Sequence, residues 1–92
     1  MKKIGKKVIV AIFNGVEITV ENTWFDGMRL YINQQLVCEN KQLLSISDKE
    51  PVLKFEKEFD DEKKTIEIYC KAIFTTKIKI CIDKEIIGGE KF

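Results

Sequence analysis

An all-β fold is expected for this chain, a single antiparallel β-sandwich or flattened barrel of about eight or nine short strands. Two features predict it. Apolar and polar residues alternate with a period of two through most of the sequence. No segment carries an apolar stripe at i, i+3, i+4 and i+7. Polar turn segments recur every several residues, which suits a sandwich; an up-and-down barrel is the alternative. At 92 residues the chain makes one domain able to bury a core without metals or disulfides.

The clearest element is the first hairpin. Asn14-Gly15 tolerates positive φ at both central positions of a type I′ turn. A two-residue loop then sets Phe13 against Val16, Ala11 against Ile18 and Ile9 against Val20. These six form one apolar face. The other face pairs Ile12 with Glu17, Val10 with Thr19 and Val8 with Glu21. The first strand is therefore apolar on both sides, and Val8, Val10 and Ile12 call for a cover from elsewhere in the chain or from a partner.

Further strands follow in order. Met28 to Ile32 sets Met28, Leu30 and Ile32 against Arg29 and Tyr31. Asn33-Gln34-Gln35 turns into Leu36-Val37-Cys38, and Leu43 to Ser47 is a candidate fifth strand. Pro51 marks a turn. Val52 to Phe59 points Leu53, Phe55 and Phe59 inward, and Asp60 to Lys63 reads as a turn. Thr65 to Ile73 places Ile66, Ile68, Cys70 and Ala72 inward. Thr76 to Ile82 does the same with Ile78, Ile80 and Ile82, and Glu85 to Ile87 closes the series. The expected organisation is a basic arm at 1–7, the sandwich at 8–87 and a tail at 88–92. No internal repeat stands out.

Composition narrows the chemistry. Sixteen Lys and Arg against fifteen Asp and Glu give a formal charge of +1, without an overall pull toward nucleic acid or anionic membrane. The apolar run Val8 to Phe13 is too short for a signal peptide's core, and no run approaches membrane-spanning length. Histidine is absent, which removes the commonest general base and zinc ligand. The cysteines Cys38, Cys70 and Cys81 form no CxxC pair and read as reduced thiols of a cytoplasmic protein. Cys81, if outward between Lys79 and Asp83, would have its thiolate favoured by nearby ammonium groups; an incidental surface or interface thiol is the plainer reading. Asp60, Asp61 and Glu62 lack the alternating ligand spacing of a calcium loop. No cofactor, metal site or catalytic set is expected, and the chain is read as a non-enzyme.

Three surfaces merit attention. Val8, Val10 and Ile12, with Phe25, form a candidate interface for a protein partner or a second copy in a homodimer. Trp24, Phe25 and Tyr31 are candidate stacking residues for a small ligand or glycan, although for Trp24, at a strand end, a lid on the core is the favoured reading. Lys71, Lys77 and Lys79, beside Tyr69, form a candidate basic face for nucleic acid, with Glu56, Glu58 and Glu67 placed to neutralise it. The leading expectation is a small interaction module working through its apolar sheet face; ligand binding and nucleic-acid binding follow in that order.

The run Leu30-Tyr31-Ile32-Asn33, with Leu36-Val37 after a turn, and Ile80-Cys81-Ile82-Asp83-Lys84-Glu85-Ile86 later, resembles the Fas apoptotic inhibitory molecule type of β-sandwich. There, strands ending in a hydrophobic-Asn/Asp-Gly-Lys turn recur. Here Gln34 and Lys84 stand where the turn glycine would be. The resemblance spans most of Val16 to Ile87, implies a compact non-enzymatic sandwich and assigns no site residues.

Overall fold

Four tight turns organise the chain. In the computed structural model, which describes residues 7–23, 27–40, 50–72 and 76–90, each turn has two residues in the left-handed region. They are Asn14-Gly15, Asn33-Gln34, Asp60-Asp61 and Asp83-Lys84, with φ between 48° and 75° throughout. This is the type I′ conformation, whose twist matches that of paired strands. Each turn joins a hairpin: β1 (Lys7–Phe13) with β2 (Val16–Thr23), β3 (Gly27–Ile32) with β4 (Gln35–Asn40), β5 (Leu53–Phe59) with β6 (Glu62–Ala72), and β7 (Thr76–Ile82) with β8 (Glu85–Gly89).

The strands form two antiparallel meanders in sequence order, β1-β2-β3-β4 and β5-β6-β7-β8. The all-β sandwich expected from the alternation is what the chain adopts. The register of the first hairpin agrees at every expected pair, from Phe13 opposite Val16 to Val8 opposite Glu21. The second half needs one correction. Asp60 to Lys63 is not a four-residue turn: the turn is Asp60-Asp61 alone, and Glu62 already pairs with Phe59. The end strands also reach past the expected limits, because Lys7 pairs with Asn22 and Gly89 with Lys79. Leu43 to Ser47, Trp24, Phe25 and Ile73 lie outside the described residues, as does the side chain of Ala72.

Although the letters show no repeat, the backbone does. Ile18 pairs with Ile32 and Val20 with Leu30 in the first sheet; Ile66 pairs with Ile82 and Ile68 with Ile80 in the second. Both sheets carry a register shift three residues before the turn, after Leu30 and after Ile80. Both also close the same side-chain bond at that turn. Glu17 N–H donates to Asn33 Oδ1 (3.0 Å) and Thr65 N–H to Asp83 Oδ1 (2.9 Å). Asn33 N–H donates back to Glu17 C=O and Asp83 N–H to Thr65 C=O.

The core lies between the two inner faces. Ile18, Val20, Leu30, Ile66, Ile68, Ile78 and Ile80 are fully buried there, each worth about 1.5–3 kcal/mol of apolar transfer. Phe13 and Phe59 meet edge to face, with centroids 5.2 Å apart, and plug one end. At the sandwich's sides, β1 lies beside β8 and β4 beside β5 without strand pairing between the sheets. Side chains tie these seams. Lys7 Nζ meets Glu90 Oε1 at 2.6 Å across the first, and Asn40 Nδ2 donates to Val52 C=O at 3.0 Å across the second.

A bare edge strand as the candidate interface

The outer face of the first sheet is built in rows across the strands. One row is Val8, Glu21, Arg29 and Glu39; the next is Val10, Thr19, Tyr31 and Leu36. Arg29 sits between two carboxylates, 3.5 Å from Glu21 and 3.2 Å from Glu39. The Val10 row carries no charge at all. It links the apolar side of β1 with Tyr31, half-buried, and Leu36, exposed.

Val8, Val10 and Ile12 are 47%, 54% and 63% exposed, so among the described residues none serves as the cover that an intramolecular reading of β1 requires. Their backbone is open as well. Glu17 C=O accepts from Asn33 N–H, so its backbone groups face β3. Backbone groups of successive strand residues point to opposite sides, so Ile18 and Val20 bond toward β1, where they meet Ala11 and Ile9. The N–H and C=O groups of Val8, Val10 and Ile12 consequently point away from β2. Among the described residues, no strand pairs with that side of β1.

The internal repeat supplies a comparison. β5 is the corresponding edge strand, and its outward residues are Lys54, Glu56 and Glu58, all exposed. Charged side chains on an edge discourage pairing with another chain. Thus one sheet protects its leading edge with three charges, and the other presents three aliphatics at the same place.

The remaining sequence-derived candidates fall elsewhere. Lys71, Lys77 and Lys79 do share the outer face of the second sheet, with Lys71 opposite Lys77 and Tyr69 opposite Lys79. The Lys79 ammonium lies 5.0 Å from the Tyr69 ring centroid, so this lysine is engaged with the protein. Glu67 is on the same face yet buried, 3.4 Å from the exposed Lys84. Alternation alone places Glu67 in solvent, whereas it is buried; a period-two pattern does not report the side chains around it. Of the stacking set only Tyr31 is described, and it belongs to the Val10 row.

Cys81 faces outward, as its parity requires, opposite Glu67 and Ile86, but it is only 4% exposed. Burial raises its thiol pKa, an effect that Lys79 opposes and Glu67 reinforces. The thiolate expectation is therefore corrected: the ammonium groups are present and desolvation outweighs them. Tyr69 is likewise raised, by desolvation and then by the Glu67 charge. Cys38 is half-buried and Cys70 buried, and neither is in a disulfide.

Comparison with protein-family models, with curated proteins and with solved structures returned no match.

Proposed function

We propose that this chain is a protein-interaction module whose docking surface is the outer face and open edge of β1. The observation that carries the proposal is the contrast between two equivalent edge strands, Lys54/Glu56/Glu58 on β5 and Val8/Val10/Ile12 on β1. Three large aliphatics side by side on a bare edge are a liability for a solitary domain. They are an asset if another polypeptide seats on them, because apolar contact and strand hydrogen bonds then act together. The resemblance to the Fas apoptotic inhibitory molecule sandwich suits this reading, since it implies a compact fold without catalytic machinery.

The test is Val10→Lys. A surface substitution of this kind shifts stability by no more than about 0.5 kcal/mol. The variant is expected to melt within a few degrees of the parent and to lose whatever association the parent shows. A variant that unfolds would place Val10 in the core and remove the proposal.

A further inference from the structure

The β1 edge is self-complementary, and we infer that its occupant is a second copy of this chain, paired antiparallel through β1 about a two-fold axis at Val10. The inference rests on the reading of β1 as an interface and adds the partner and the register. Three observations carry it. The outward backbone groups belong to Val8, Val10 and Ile12, spaced two apart, so a two-fold at Val10 sets Val10 opposite Val10 and Val8 opposite Ile12 of the other copy. Every one of these is a hydrogen-bonding pair, in which both residues exchange N–H and C=O bonds.

Side chains agree with the backbone. On the outer face the new cross-strand pairs are aliphatic on aliphatic, and no like charges are opposed along β1. The uncharged row Val10, Thr19, Tyr31 and Leu36 would continue into its own copy, as one unbroken row across an eight-stranded sheet. The chain's other leading edge offers no such match: seating β5 on β1 would set Lys54, Glu56 and Glu58 against aliphatics. A closed two-fold also satisfies both edges at once, whereas a head-to-tail contact would leave one bare in each copy.

The size of the contact sets its strength. One strand edge and three side chains per copy fall below the ~800 Å² per partner of a standard stable interface. The dimer therefore belongs to the weak, reversible class, with dissociation constants on the order of tens of micromolar or above.

Sedimentation equilibrium over a concentration series, combined with disulfide trapping, tests this. The background is Cys38→Ser, which retains a donor for the Lys54 carbonyl; Cys70 and Cys81 are buried. In the inferred register the two Val10 Cα atoms lie about 5.5 Å apart, inside the roughly 4.4–6.8 Å that a disulfide spans. Val10→Cys is expected to crosslink to itself under mild oxidation. Val8→Cys and Ile12→Cys are expected to crosslink when mixed and not when alone. Val10→Lys in the parent background should weaken the dimer at least tenfold while leaving the melt unchanged.

The outcomes separate the claims. A dimer that Val10→Lys dissolves, but whose cysteines trap in another pattern, overturns the register and leaves the β1 interface standing. A parent that stays monomeric into the millimolar range overturns the second copy as occupant and leaves a different protein for the same face. A dimer that Val10→Lys does not affect overturns both, as does a Val10→Lys chain that fails to fold.

Discussion

Gly88→Ala probes the seam where the two sheets meet beside the proposed interface. Gly88 lies on β8 opposite Ile80, and a Cβ added there would sit 2.7 Å from the Ala11 Cβ on β1. Carbon atoms rest about 3.5–4.0 Å apart, so the strands must separate by roughly 1 Å. Neither methyl has a rotamer with which to evade the other. Overpacking of this kind costs about 1–3 kcal/mol. The lower entropy of the unfolded alanine chain returns about 0.4–1 kcal/mol. Near the middle of both ranges the net loss is about 1.3 kcal/mol, which for a domain of this size lowers Tm by roughly 5–10 °C. Thermal unfolding by circular dichroism reads it directly. Adding Ala11→Gly to Gly88→Ala restores the space, so a double-mutant cycle should show coupling of about 1 kcal/mol or more. A Gly88→Ala protein as stable as its parent, or a strictly additive cycle, would refute close contact at this seam.

Two other perturbations have defined directions. Gln34 holds φ at 70° without being glycine. The left-handed region costs an ordinary residue about 1–2 kcal/mol, and glycine's extra chain entropy offsets about 0.5–1; Gln34→Gly should therefore raise stability by up to about 1.5 kcal/mol in urea titration, and any loss would contradict the turn assignment. In the alkaline range, Cys81 and Tyr69 both have folded-state pKa values raised by burial. The folded chain thus holds these protons more tightly, so their contribution is complete below the unfolded values and is lost as pH rises from about 9 upward through the folded ones. Stability should fall across that window, and Cys81→Ala should remove the earlier part of the fall; an unchanged profile in the variant would count against a desolvated thiol.

How far the sequence discloses this architecture depends on which physical feature encodes each part. Asn14-Gly15 states its turn type in two letters, and the whole β1–β2 register follows from it. Asp60-Asp61 adopts the same backbone with two residues that occur in many turns, so the loop looked two residues longer than it is. The repeat is hidden for a related reason. It resides in φ values, register shifts and one side-chain bond, for which Asn33 and Asp83, or Gln34 and Lys84, serve alike. Within the candidate site, the two-sided apolar character of β1 is plain in the sequence. That its outer side stays exposed is not, because that depends on where β8 packs and which backbone groups reach β2. The burial of Glu67 and Cys81 escapes pattern reading altogether, since strand parity fixes a side chain's direction and not the height of its neighbours.

Amide hydrogen exchange along β1, measured at low and high protein concentration, addresses the open edge without any substitution. In dilute solution Ile9, Ala11 and Phe13 should exchange slowly, and Val8, Val10 and Ile12 fast. Raising the concentration should slow those three and leave the first set as it was. Slow exchange at all six positions in dilute monomer would mean that the chain already seals this edge itself, and the account would fail.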